Sequence, residues 1–355
     1  MKMNTLIIPC AGKSSRFDGM LPKWMLKYPD GKPMVEESIC GLPLVKYDRV
    51  IVTAVREHLD KYSGEELLRK SIGKKLGNKF ELCILDNFTS CQAETVYETI
   101  KRCHIEGAFA VKDSDNYIEM DLTENTDFVV GLNMHMFKKE IERLSAKSFL
   151  MINSQGIITD IIEKKIVSEY ISIGMYGFRS SELYCAAFES LSNSKGMENE
   201  IYISHVISYL IGTKQSVYSY VEANDYEDWG TKKDWYSVLN TKRTVFVNVE
   251  GIITKTVTSG DGEIRYCNEN IEKLTELSRS GCQIVLISSM NKEKMAVIEN
   301  KLVGIGIKIH ASIPECYASH QLLIQSFSSE IPYPACQSLN IREGDNIGDL
   351  LRDER

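Results

Sequence analysis

A chain of 355 residues, 43% hydrophobic and 26% charged, is long enough for two domains of ordinary size and has the balance of a sequence that buries a core. With 42 Lys and Arg against 49 Asp and Glu the formal charge is −7, which excludes a broad cationic face for nucleic acid but leaves room for a small basic pocket. The ten cysteines show no C-x-x-C pair or zinc-type spacing, and no apolar run approaches the roughly 18 residues of a membrane span. Reduced thiols, a cytoplasmic location, no signal peptide and no membrane contact are the expectation.

In chain order, the apolar run Leu6-Ile7-Ile8 gives way to Pro9-Cys10-Ala11-Gly12-Lys13-Ser14-Ser15-Arg16-Phe17, with Leu21-Pro22-Lys23 close behind. A strand that ends in a small turn can aim backbone N–H groups at an oxyanion, and Arg16 and Lys23 add full positive charge. Gly12 is the only glycine before Arg16, so neither the dinucleotide fingerprint nor the Walker pattern is met, and an ordinary strand-to-helix turn also fits. Residues 33–40 read as a helix and 50–53 as a buried strand. Ser63-Gly64-Glu65-Glu66 has capping-box spacing before a helix running toward Leu76.

A strand over 80–85 follows, then a second cap at 89–92 and a helix with Ala93, Val96, Tyr97, Ile100 and Cys103 on one face. The strand 107–111 runs straight into Asp113-Ser114-Asp115-Asn116. Alternating strands and helices predict an α/β domain with its chemistry at the carboxyl ends of the strands. From 127 to 177 short apolar segments predict extended structure forming an acceptor-side wall. Helices are expected near 181–191 and 200–210 and a strand over 217–221, before Asp225-Tyr226-Glu227-Asp228-Trp229-Gly230-Thr231 closes the unit.

Near Lys242 the rhythm restarts, with strands over 244–249 and 283–287, a helix over 268–280 carrying Ile271, Leu274 and Leu277, and another carrying Met295, Ile298 and Leu302. The boundary is placed at 240–244, giving domains 1–241 and 242–355.

Asp115 and the distant Asp228 are two carboxylates that could share one Mg²⁺ against a triphosphate, because Mg²⁺ prefers hard oxygens and completes its shell with phosphate and water. A solvated acidic turn explains either aspartate alone. Lys164, in Ile162-Glu163-Lys164-Lys165, suits an acceptor phosphate, and Glu198 or Glu200 suits a sugar hydroxyl; a solvated charged face explains these as well.

Taken together, Ala11-Gly12-x-x-Ser15-Arg16, Pro22-Lys23, Asp115-Asn116, Glu163-Lys164, Gly174-Met175-Tyr176, Glu198-x-Glu200-Ile201 and Asp228-x-Gly230-Thr231 stand in the order of a known family. Over about residues 1–240 the chain resembles the sugar-phosphate nucleotidyltransferases of the GT-A type. The resemblance implies a Rossmann-like domain with a mixed sheet that moves an NMP from an NTP to a sugar phosphate or similar acceptor, releasing pyrophosphate, for capsule or surface glycan synthesis. By position, Ala11, Gly12, Ser15, Arg16 and Lys23 would hold the NTP phosphates, with Arg16 and Lys23 catalytic in stabilising the departing pyrophosphate. Gln92 and Ala93 would lie near the base, Asp115 and Asp228 would bind Mg²⁺, and Lys164 and Glu200 would meet the acceptor. Three departures stand out: Ser14 replaces a second loop glycine, Cys91-Gln92-Ala93-Glu94 replaces a glycine-alanine turn, and Lys165 replaces a proline after Glu163-Lys164. CTP or UTP is slightly favoured as the nucleotide, and a homo-oligomer is left open.

The stretch Val245-Phe246-Val247-Asn248-Val249-Glu250 looks like the first motif of haloacid dehalogenase-like phosphatases, with Asn248 and Glu250 where two aspartates are usual. Ser288 or Ser289 fits the second motif, and the tail 332–335 and 340–342 resembles the ends of such domains. Acidic metal ligands, sought at 323–327, are absent there. An amide cannot form an aspartyl phosphate, so a smaller α/β phosphatase-like domain without phosphatase activity is expected. The alternative for the whole chain is a nucleotide-binding regulatory or scaffolding protein with two retired domains.

Overall fold

The computed structural model describes residues 5–136, 144–195, 200–255, 264–319, 321–324, 337–343 and 345–350. Glu198 and the late segments 325–327 and 332–335 named above lie outside them. The chain divides into two compact units, Met1–Lys232 and Lys233–Arg355.

In the first unit β1 (Thr5–Cys10), β2 (Arg49–Val55), β3 (Phe80–Leu85) and β4 (Phe109–Lys112) pair in parallel in the order β3-β2-β1-β4. Every residue of β1 is buried, as a strand covered on both faces requires, and this is why its sequence shows a run rather than an alternation. β5 (Asn116–Glu119) leaves this sheet. β6 (Phe128–Asn133), β7 (Ser148–Ile152), β8 (Ile157–Glu163), β9 (Tyr170–Phe178) and β10 (Tyr218–Glu222) extend it in the order β4-β9-β6-β10-β8-β7. β9 runs antiparallel to both β4 and β6, so the sheet is mixed, as the resemblance implies. β11 (Asp225–Asp228) pairs antiparallel with β5 as a separate two-stranded ribbon.

The helices Gln92–Arg102, Ser181–Lys195 and Ile203–Gly212 cover the sheet around one core. Phe109 stacks on Phe178 at 5.0 Å, and Tyr184 meets Phe178 edge-on at 4.9 Å, which ties β4 and β9 to the second helix. Two local expectations fail. Ser63 adopts the left-handed conformation, φ 53°, and makes no side-chain cap, so no capping box forms there. The helix expected over 33–40 shrinks to Met34–Glu37. At the second cap Glu94 does reach back, accepting from Ser90 N at 2.5 Å and Ser90 Oγ at 2.6 Å.

In the second unit β12 (Thr244–Asn248) lies parallel to β15 (Gln283–Ile287), and β15 to β16 (Ile309–Ile313); β13 (Thr254–Lys255) and β14 (Arg265–Tyr266) form a small hairpin. The helices Asn268–Arg279 and Lys292–Gly304 supply Ile271, Leu274, Met295, Ile298 and Leu302 to its core, as their spacing predicts. All described cysteines are free thiols, and no described helix is long and apolar enough to cross a membrane.

Candidate active site

Parallel pairing brings the carboxyl ends of β1 and β4 to one edge, with Thr5 opposite Phe109 and Ile7 opposite Val111. The turn after β1 and the acidic loop after β4 therefore emerge side by side, which is where an open α/β sheet leaves a crevice. Ser14 takes a left-handed conformation, φ 54°, which is the reason a glycine would serve there. Its Oγ accepts from Lys23 N at 3.2 Å, so the hydroxyl fastens the Pro22–Lys23 segment to the loop.

The β5–β11 ribbon solves the problem of distance along the chain. Its register sets Asp228 opposite Asn116, and Trp229 N donates to Asp115 O at 2.9 Å. Two carboxylates 113 positions apart are thereby made neighbours by backbone hydrogen bonds alone. From the other side β9 carries an irregularity, with Val130 facing Met175 but Gly131 facing Ser172, so Ile173 and Gly174 bulge from the ladder. The bulge grips the acidic loop: Asp113 N donates to Gly174 O at 2.8 Å and Asn116 Nδ2 to Ile173 O at 3.0 Å. Gly174 sits at φ +90°, and a methyl group there would run into the Asp113 carboxylate and the Asn116 amide.

Behind the loop Lys112 is completely buried. Its ammonium spends its protons on Asp113 O at 2.7 Å, Asn116 O at 2.9 Å and Asn116 Oδ1 at 2.5 Å. Burial pulls Lys112 down to about 8, against the pull of Asp113 and Asp115. Asp113 is pushed up to about 6, first by burial and then by the Asp115 charge, while Gln92 Nε2 donates to it at 2.6 Å. Asp115 goes the other way. Burial works to raise it, but the charge and hydrogen bond of Lys23, at 2.5 Å, hold it below the usual carboxylate range.

These groups border an open pocket of about 220 Å³. Among the residues read from the sequence, Arg16, Gln92, Asp115, Lys164 and Asp228 line it directly. Lys23 reaches it through Asp115. Ala11 and Ala93 are buried, and Gly12 and Ser15 are exposed on the loop. Glu200 is exposed and one hydroxyl removed: Tyr202 OH donates to Glu200 Oε2 at 2.5 Å and itself accepts from Lys164 Nζ. Lys164, at φ +55°, turns the chain out of β8 in the left-handed region, where a non-glycine residue is uncommon. Glu163 lines the pocket too, with Ser148 Oγ and Ser204 Oγ donating to its Oε2 at 2.5 and 2.6 Å.

Sequence reading missed Lys112, which closes β4 one residue beyond the strand expected over 107–111, and Lys147, which no motif marks. Lys147 Nζ donates to the Asp228 carboxylate and, at 2.7 Å, to Tyr226 OH. Its one sequence cue is its place in the stretch 127–177 read as an acceptor-side wall.

The sheet order and the crevice define a fold first: the first unit has a mixed-sheet α/β fold that solved structures share. The particular likenesses are a nucleoside-diphosphate-sugar pyrophosphorylase from Vibrio cholerae RC9, at 21% identity and TM-score 0.56, with 66% of this chain and 99% of that one covered; and the inositol-1-phosphate CTP transferase from T. maritima, at 15% and 0.53, with 68% and 96% covered. A UDP-glucose pyrophosphorylase complexed with UDP-glucose follows at 18% and 0.51, with 67% and 97% covered. At such identities the likeness is one of fold. No family model and no curated protein matches the chain.

Proposed function

We propose that the first unit is a nucleotidyltransferase that moves an NMP from an NTP to a sugar phosphate or similar small phosphorylated acceptor, in the service of surface glycan synthesis. The observation that carries this reading is the convergence of the loop bearing Arg16 and Lys23 with the Asp115 and Asp228 carboxylates at one pocket. The fold, shared with pyrophosphorylases and a CTP transferase, supports it. In the reaction an acceptor phosphate oxygen bonds to the α-phosphorus, the bond from that phosphorus to its bridging oxygen breaks, and pyrophosphate leaves with the electron pair. No protein nucleophile is needed, so the protein contributes positioning and charge. Arg16 and Lys23 would take the charge growing on pyrophosphate, Gln92 would sit by the base, and Lys164 would meet the acceptor phosphate.

Asp115 and Asp228 would hold Mg²⁺, which supplies charge neutralisation of the triphosphate when bound. The donor set fits a hard cation that shares its shell with substrate. Among the described residues no three His, Cys, Asp or Glu side chains converge on one point, so phosphates and water would complete the coordination. A matrix of four NTPs against sugar 1-phosphates, polyol phosphates and phosphorylated amino alcohols, read by pyrophosphate release, tests the reading. At least one pair should turn over, with CTP or UTP as the better nucleotide.

One observation favours the second reading, a nucleotide-binding scaffold: both carboxylates are already neutralised by lysines. Tight NTP binding with no pyrophosphate release from any pair would establish it.

For the second unit we infer a phosphatase-like domain without phosphatase activity. Asn248 stands at the end of β12 and uses its amide Nδ2 to donate to Glu250 O at 2.9 Å, so the position offers no nucleophile. One acidic side chain does come near: a methyl on Gly251 would lie 4.0 Å from Cβ and Cγ of Glu343, further along the chain than the stretch searched in the sequence. Mg²⁺-dependent release of phosphate from a phosphomonoester, abolished in Asn248→Ala, would overturn the inference.

A further inference from the structure

The two carboxylates assigned to the metal are each held by an ammonium. Lys23 pairs with Asp115 at 2.5 Å, and Lys147 pairs with Asp228, only 14% of the Lys147 side chain being exposed. Lys147 also lies close enough to Asp115 to help lower it. Among the described residues these are the ion pairs that close this corner of the pocket. Two ammoniums on two carboxylates carry the same charge as one divalent cation on them. Exchange of the first arrangement for the second leaves the carboxylates compensated and frees two positive charges inside the pocket.

Their destinations differ because their elements differ. Lys23 belongs to the loop after β1, on the triphosphate side. Lys147 immediately precedes β7, and its carbonyl accepts from Lys164 N at 3.0 Å, so the backbone fixes these two lysines side by side. Both line the pocket on the wall built from β7 and β8, together with Ser148 and Glu163. A freed Lys147 ammonium lies beside Lys164 on that wall, next to the phosphate that Lys164 is set to receive.

We propose that Lys147 is a second ligand of the acceptor phosphate, stored on Asp228 until a divalent cation claims that carboxylate. The proposal rests on the nucleotidyl-transfer reading for the identity of the phosphate, and on geometry alone for the storage. It also explains why a site closed by lysines need not be a retired one.

The test uses the full chain with Lys147→Met and Lys147→Arg. Mn²⁺ binding without nucleotide, followed by electron paramagnetic resonance, should tighten about tenfold in Lys147→Met, since a competing cation is gone. The Michaelis constant for the acceptor should rise about thirtyfold in Lys147→Met and recover at least partly in Lys147→Arg, with that for the NTP changed less than about threefold. Unaltered Mn²⁺ affinity, or an unaltered acceptor constant, would overturn the proposal. If the wild type turns over no pair, the transfer reading falls by itself, and inorganic phosphate binding in the presence of Mn²⁺ decides the matter for Lys147. A loss of about tenfold in Lys147→Met supports the anion site, and equal binding removes it.

Discussion

Two corners of this protein occupy equivalent places and have different chemistry. In the first unit the carboxyl ends of β1 and β4 carry a basic loop and two carboxylates that face ammoniums. In the second unit the carboxyl ends of β12 and β15 carry Asn248 and Ser288, next to the Glu250 carboxylate, which takes neutral donors on one oxygen. Glu250 Oε1 accepts from Ser288 Oγ at 2.9 Å, Ser289 N at 2.9 Å and Ser289 Oγ at 2.7 Å. Burial works to raise Glu250, and these hydrogen bonds, that of Ser289 foremost, hold it below its ordinary value. Parallel strands put a crevice at their carboxyl ends in both units, but only the first fills it with charges that a cation or a phosphate could exchange.

The largest expected effect tests the charged corner. Asp115→Asn or Asp228→Asn should cut turnover by roughly 10³-fold and also lower the melting temperature, because each substitution leaves a part-buried ammonium without its carboxylate. Near-normal turnover in either variant would end the metal assignment. Gly174→Ala comes next. Its methyl group would collide with the Asp113 carboxylate at φ +90°, costing about 2 kcal/mol and displacing the acidic loop, so chemical denaturation and activity should fall together.

The neutral corner is sharpened by Glu250→Ala, which leaves the buried Ser288 hydroxyl and the Ser289 donors without their acceptor. Denaturation should show a loss of about 1–3 kcal/mol, with no phosphatase activity to lose. An activity that disappeared with Glu250 would show that this corner does chemistry after all.

The smallest effect lies away from both corners. His58 is buried, with its ring 5.0 Å from Phe88, and burial holds it below the usual histidine range while Glu57 works against that shift. As pH falls, the unfolded chain takes up this proton first. The contribution is therefore complete above the unfolded value of about 6.5 and is lost as pH drops through the lower folded value. Urea melts between pH 7 and 5 should show a shallow decline that flattens in His58→Gln.

Much of the first site was legible because it rests on local chemistry. A buried strand followed by small residues, Arg16 and Lys23 can be read as an anion loop without a structure; Asp115 stood out because it follows the apolar run 107–111, and Asp228 because it begins Asp228-Trp229-Gly230-Thr231. Glu200 was legible as an acidic residue near a helix but not as one relayed to Lys164 through Tyr202. The capping box at Ser63 was a misreading, since a sequence spacing does not fix the backbone conformation of the capping residue.

By itself the sequence determined which residues could carry charge, where strands and helices alternate, and that Asn248 offers no carboxylate. It did so because burial periodicity and side-chain chemistry are properties of neighbours along the chain. Only the tertiary structure decided that Asp228 stands beside Asp115, that a bulge at Gly174 grips the acidic loop, that buried Lys112 braces it, and that Lys147 shares the pocket. Those facts depend on strand register and on hydrogen bonds between distant segments, and no local pattern in the chain encodes them.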